Sequence, residues 1–378
     1  MAEPEAARRP PAAPAGVFLG TFALIFLAMG GLFAVDLFLA GLERAERRSE
    51  ARHFYEEGMS LARRGRRSEA VDRFHSAVAA ERTNPVYQRA LAAAMLAAGK
   101  VAEARVVAAD RLQQEPTDAA ASRLVARALV REGKRREAVS YYHRAIYGHW
   151  DQDPAGNRVQ SRFEMVDVLA GIGARRELLA ELLPLQDEAP DDLATRRRIA
   201  HLFVDAGAPS RAIEMLRAIL REHGRDAGTY AGLGEAELAR GNYLSARADF
   251  TAAAQLAPGD SAIARRLALA QRVIELDPTR RGLRSEERYR RSVELLGLTI
   301  QAADSCLDGG NAGSNQAIVD SARAAMVAPR RRSSDRHEAV ELNLDLAERL
   351  WQLRRSACLT LPAAAEDPVA LVLERVAQ

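Results

Sequence analysis

Residues 227–260 read AGTYAGLGEAELARGNYLSARADFTAAAQLAPGD. Small and apolar side chains recur at helical spacing on both sides of Gly241, so the stretch reads as two amphipathic helices joined by a glycine turn. Tyr230, Leu233, Gly234, Tyr243, Ala246, Phe250, Ala253 and Pro258 carry the pattern. A small residue midway along the first helix and an alanine early in the second let the two backbones approach closely.

The turn recurs along the chain. Gly65, Gly99 and Gly133 lie 34 residues apart, as do Gly173, Gly207 and Gly241, with one 40-residue step between the two sets. Ala70, Ala104, Ala138, Ala212 and Ala246 keep the same phase. Each glycine ends a first helix where a positive φ suits the cap. A single helix pair cannot bury its own apolar face, so the copies must stack. Six copies run from Ala51 to Asp260, the fourth degenerate but keeping Met165, Leu169, Gly173, Leu182 and Pro190. Ser261–Leu276 reads as a capping helix or the start of a seventh copy and extends the array to residue 278.

This 34-residue helix pair resembles the tetratricopeptide repeat. The resemblance implies an all-α solenoid whose first helices line a concave groove for peptides or partner helices. It places Arg89, Ala93, Arg123, Arg127, Arg131, Phe163, Asp167, Arg197, His201 and Glu235 on that face. Arginine pairs carboxylates bidentately, so an acidic or amphipathic protein segment is the expected ligand. Arg123, Arg127 and Arg131 fall on one helix stripe. An ordinary solvated face is the competing reading. The dicarboxylate clamp of chaperone-binding repeats is not matched, because Tyr55 and Met59 stand where a Lys and an Asn are expected.

Upstream of the repeats no charge occurs between Pro10 and Val35. Val17–Val35 would span about 28 Å as a helix, close to a bilayer's hydrocarbon core. Asp36 interrupts and Leu37–Leu42 continues apolar, so residues 17–42 read as a transmembrane helix behind a disordered tail over 1–16. A cleaved signal peptide is the rival, but it is usually shorter and ends at a small-x-small site. Orientation pulls two ways. Arg44, Arg47, Arg48 and Arg52 flank the segment on its C-terminal side, which favours a cytoplasmic bulk domain. The cysteine count favours the periplasm, which is the expected side.

Those cysteines are Cys306 and Cys358, the only two in the chain. Each lies at the end of a long helix in a C-terminal module over 285–378, read as Ser285–Leu307, Gln316–Val327, Asp335–Cys358 and Pro368–Val376. A disulfide between them would contribute roughly 4 kcal/mol and would persist only in an oxidising compartment. Two unpaired buried thiols are the alternative.

The stretch Tyr147–Asn157 lengthens the repeat period by six residues. A metal loop on Asp151, Asp153 and Asn157 is one reading, though calcium-loop spacing is missing; a tolerated surface insertion is the other.

With 54 basic against 51 acidic residues the net charge is +3, which gives no drive toward nucleic acid. A 48% hydrophobic share supplies a core and excludes disorder throughout. No P-loop, GxSxG, HExxH or CxxC occurs. No cofactor, metal or small-molecule substrate is therefore expected, and the reading is a non-enzymatic scaffold in envelope assembly or export. A cytoplasm-facing regulatory adaptor, and an enzyme with an unrecognised C-terminal site, are the alternatives. The layout also resembles the lipopolysaccharide assembly protein B family, but that family's paired CxxC motifs are absent.

Overall fold

The computed structural model describes residues 15–307, 312–327, 333–357 and 366–376. All regular elements among them are helices, seventeen in number. They cluster as two compact units, residues 1–161 and 162–378.

In the first unit, α1 (Ala15–Arg63) is one helix of 49 residues. The apolar segment and the first helix of repeat one are thus continuous. No Gly or Pro stands between residues 42 and 57 to break it, and Glu43–Arg47 and Arg52–Glu56 brace successive turns at 2.9 Å. Five further helices follow: α2 (Arg67–Ala80), α3 (Pro85–Ala97), α4 (Val101–Gln114), α5 (Ala119–Arg131) and α6 (Arg135–Tyr147). Helix α7 (Pro154–Gly171) begins in this unit and ends in the second.

The second unit continues with α8 (Arg175–Glu188), α9 (Leu193–Asp205), α10 (Pro209–His223), α11 (Ala227–Ala239), α12 (Tyr243–Leu256) and α13 (Ser261–Leu276). Then come α14 (Ser285–Leu307), α15 (Ala312–Val327), α16 (Ser333–Ala357) and α17 (Pro368–Val376).

The six spaced glycines all have positive φ, between 68° at Gly173 and 83° at Gly99. At each one the following amide reaches back five residues, as Arg66 N to Leu61 O (3.0 Å) and Asn242 N to Glu237 O (2.8 Å), satisfying a carbonyl that the helix end leaves open.

After the first pair, the other end of each is fixed by a residue type the glycine pattern does not include. Asn84, Asp118, Asp192, Asp226 and Asp260 cap α3, α5, α9, α11 and α13 through their side-chain oxygens. Asp153 does the same for α7, accepting from Gly156 N at 3.0 Å.

Repeat six and the C-terminal helices share one core. Tyr243, Phe250, Val273, Leu296, Leu350, Trp351 and Val372 belong to a single buried cluster. The Tyr243 hydroxyl, buried there, donates to Leu371 O at 2.6 Å, and burial pushes its pKa up to about 12. The pairing of Cys306 with Cys358 lies outside the described residues, as do residues 1–14.

Candidate functional site

The arginines expected on the groove face in the first unit are engaged by the protein itself. Arg89 on α3 pairs with Asp118 at 3.0 Å and with Asp151. Asp118, almost fully buried, also receives Arg111 Nε at 2.9 Å and the Ala121 amide at 2.9 Å. Its burial is offset because three donors converge on it. Arg123 donates to Gln160 (2.9 Å) and Asn157 (3.0 Å) and lies 4.5 Å from the Trp150 ring centroid. Arg131 donates to the Leu96 carbonyl. Arg127 is half-buried on the same helix.

The six-residue insertion explains much of this. His149 bridges to Asp118 through backbone hydrogen bonds on either side, at 2.8 Å to Thr117 O and 3.1 Å from Ala119 N. Trp150 is buried against Ala119 and Ala145 and donates to Ala145 O at 2.8 Å. The stretch is a plug seated on the starts of α5 and α7. Asp151, Asp153 and Asn157, considered above as metal ligands, are bound instead to Arg89, to the α7 N-terminus and to Arg123. The hydrogen bond from Arg89, more than any other influence, holds Asp151 below the usual carboxylate range. Among the described residues no group of His, Cys, Asp or Glu is placed to hold a metal ion.

In the second unit the same device recurs. Arg197 on α9 reaches the α11 cap Asp226 at 2.8 Å, the same 29-residue separation as Arg89 to Asp118. Burial raises the Asp226 pKa, yet hydrogen bonds from Thr229 and Arg197 outweigh it and leave the carboxyl lowered. Arg198 stacks 4.4 Å from the Phe163 ring centroid and pairs with Asp167 at 2.6 Å. Glu235 takes a bidentate contact from Arg266 at 2.5 and 2.7 Å. His201 is exposed, with Asp205 at 3.4 Å.

Beside these pairs α9 and α11 line two open clefts. A cleft of about 370 Å³ lies over Gly228, Ala231 and Gly232, walled by Val204 and Leu216. A second, of about 540 Å³, shares His201, Val204 and Glu235 with it and extends to Arg175, Arg240 and α17. Of the residues assigned to the groove from sequence, Arg197, His201 and Glu235 line these clefts. Phe163 lies beneath Arg198, which lines the smaller one, whereas Arg89 and Arg123 hold the plug of the other unit. The reading from sequence missed Arg175 and Arg240, which lie at a second-helix start and a first-helix end, outside the family's groove positions.

One half-buried acid of the second unit has a pH consequence. Asp249 on α12 is pushed up to about 6 by burial and by Glu237, with Arg217 opposing. An acid whose folded pKa exceeds its ordinary 3.8 binds protons more readily folded than unfolded, so its contribution to stability is lost as pH rises from about 4 to 6. Asp249→Asn is expected to raise stability at pH 7.5 by about 1 kcal/mol, after discounting for partial exposure, and to change it little at pH 4. Urea midpoints of the two proteins at both pH values check this; an equal effect at both would refute the assignment.

Residues 197–261 match the tetratricopeptide repeat family model. That stretch carries tetratricopeptide repeats, and the other helix pairs share its positive-φ glycine turn. Solved structures with similar folds include YrrB, described as a tetratricopeptide-repeat protein with an unusual peptide-binding site; identity is 15%, coverage 50% of this chain and 95% of that one, and the TM-score 0.42. PilF of Pseudomonas aeruginosa aligns at 14% identity over 60% of this chain and 98% of its own, with a TM-score of 0.43. PilW, described as a type IV pilus biogenesis factor, aligns at 15% over 58% and 98%, also with a TM-score of 0.43. No curated protein matches the chain by sequence.

Proposed function

We propose that this protein is a membrane-tethered scaffold that holds a protein partner on the inner face of its repeats. The observation that carries the tether is α1. From Phe26 it is apolar enough to cross a membrane, none of its most apolar window is buried within the protein, and it runs without a break into repeat one. The length of the apolar stretch, beyond the roughly 7–15 apolar residues of a signal peptide, supports a retained anchor over a cleaved signal.

Alkaline extraction of membranes is expected to leave the full-length chain in the pellet, with intact mass including residues 17–42. Release into the supernatant, or a mature chain starting near residue 42, would sink the anchor. We place the bulk domain in the periplasm, in an envelope assembly or export system. A C-terminal alkaline phosphatase fusion is expected to be active; an inactive but stable fusion would assign the chain to the cytoplasmic face.

The partner-binding reading rests on the open clefts of α9 and α11. Site-specific photocrosslinking from the Ala231 position is expected to trap a protein partner, whereas crosslinking from exposed Val106 on α4 is not. The same pattern from both positions would count against a groove.

A further inference from the structure

We propose that Asp36 lies inside the bilayer and pairs there with a lysine or arginine on a transmembrane helix of a different membrane protein. This inference rests on the membrane tether proposed above. It names a second contact of the chain, made within the membrane and not by the repeats.

The depth of Asp36 follows from length. Residues 17–42 contain one charge, Asp36, and one hydroxyl, Thr21; every other residue is apolar. As part of α1 they extend about 39 Å, against about 30 Å of hydrocarbon. Two registers compete. With Asp36 at the water boundary, residues 37–42 stand outside the membrane, although Leu37, Phe38, Leu39 and Leu42 are each more than half exposed on the protein. With the boundary at Glu43 and Arg44, those four side chains enter hydrocarbon, and tilting of the helix absorbs the excess length. The second register draws in four large apolar side chains at the expense of one carboxyl. That carboxyl sits away from the midplane, where a charge costs less than at the centre. Asp36 then lies six residues, about 7–9 Å, below the boundary.

At that depth its own chain offers it no partner. A helical side chain leans toward the helix N-terminus, so the Asp36 carboxyl is directed away from the Glu43 boundary and toward the midplane. One turn to either side stand Leu32, Phe33, Leu39 and Ala40. Arg44, eight residues on, is about 12 Å away along the axis, and its Nε donates to the Ala40 carbonyl at 2.8 Å. Glu43 and Arg47 pair with each other at 2.9 Å. No second helix among the described residues is long and apolar enough to cross a membrane. Water is excluded from hydrocarbon, so the carboxyl, charged or neutral, needs a hydrogen-bonding partner from another chain.

That partner is not a second copy. Copies inserted the same way bring Asp36 against Asp36 at one depth, and like charges repel. Residues 10–42 hold no Lys or Arg, and Thr21 is 15 residues from Asp36. A basic side chain on a foreign helix supplies both the opposite charge and the donors.

The test places the full-length chain in phosphatidylcholine vesicles with synthetic single-span helices of Leu and Ala. One helix carries a lysine six residues from its charged end, and matched helices carry Leu or Glu there. Energy transfer between a dye on the peptide and a dye on the chain's amino terminus reads association. The lysine helix is expected to bind about tenfold better than the other two, a preference lost in Asp36→Leu and kept in Asp36→Glu. In cells, photocrosslinking from Ala40, beside Asp36 on the same face, is expected to trap a membrane-spanning peptide that contains Lys or Arg. Crosslinking from Ala34, about 160° around the helix, is not. Equal binding of the three helices, a preference that survives in Asp36→Leu, or a trapped span without a basic residue overturns the inference. So does Asp36-dependent transfer between two copies of the chain, which would assign the contact to a homodimer. In each of these cases a chain that still floats with the vesicles after alkaline treatment leaves the tether intact. A chain that no longer floats defeats both readings.

Discussion

Arg162→Ala is expected to destabilise the second unit by about 3–5 kcal/mol. Arg162 is only 2% exposed, and its guanidinium lies 3.3 Å from Glu181 and 2.6 Å from Glu188. Removing the cation leaves Glu181, itself mostly buried, facing a low-dielectric interior without its partner. The cost therefore comes from the stranded acid more than from lost packing. Arg162→Met paired with Glu181→Met removes both charges and is expected to recover most of the loss, because a well-packed apolar pair replaces a desolvated ionic one. Urea denaturation of the three proteins, with hydrogen exchange in α7 and α8 to localise the opening, reads the effect. A loss below about 1 kcal/mol, the range of exposed pairs, would show that Arg162 reaches solvent in solution.

The repeat architecture was legible because the turn chemistry is periodic. Six glycines in one phase mark six helix ends, and all six adopt the positive φ that the spacing implied. The aspartate caps were written in the same period, at Asp192, Asp226 and Asp260, but a polar residue at a helix start leaves no trace in an apolar pattern. Arg89, Arg123 and Arg197 lie on α3, α5 and α9. What each one touches was not legible, since Arg89 and Arg197 meet a cap 29 residues away and that contact exists only once repeats stack. The insertion was visible as a break in spacing. That Trp150 turns inward and Asp151 meets Arg89 depends on a backbone bridge to Asp118 that no local propensity encodes. The C-terminal helices were likewise readable one at a time. Their shared core with Tyr243 and Phe250 joins residues more than a hundred positions apart.

That shared core makes Phe250 the most sensitive apolar position to test. Its side chain is fully buried, and its ring lies 2.6 Å from where a Cβ on Gly234 would stand. Phe250→Ala is expected to cost about 3–5 kcal/mol through lost transfer energy and the cavity left behind. Gly234→Ala attacks the same contact from the other side. The new methyl cannot coexist with the ring, so overpacking costs about 1–3 kcal/mol even though alanine is the better helix former by about 1 kcal/mol. The two changes must therefore couple. Adding Gly234→Ala to Phe250→Leu is expected to cost less than it does in the wild type, since the smaller side chain leaves space for the methyl. Repeat one offers an internal replicate, because a Cβ on Gly58 would lie 2.8 Å from the Phe74 ring. Gly58→Ala should lower stability for the same reason. Gly232→Ala, with its nearest contact at 3.3 Å to a Leu216 methyl, should be close to neutral. Calorimetric melts of the single and double variants decide the matter. Strict additivity of Gly234→Ala and Phe250→Leu would mean that the helices of repeat six do not approach closely enough for the glycine to be required.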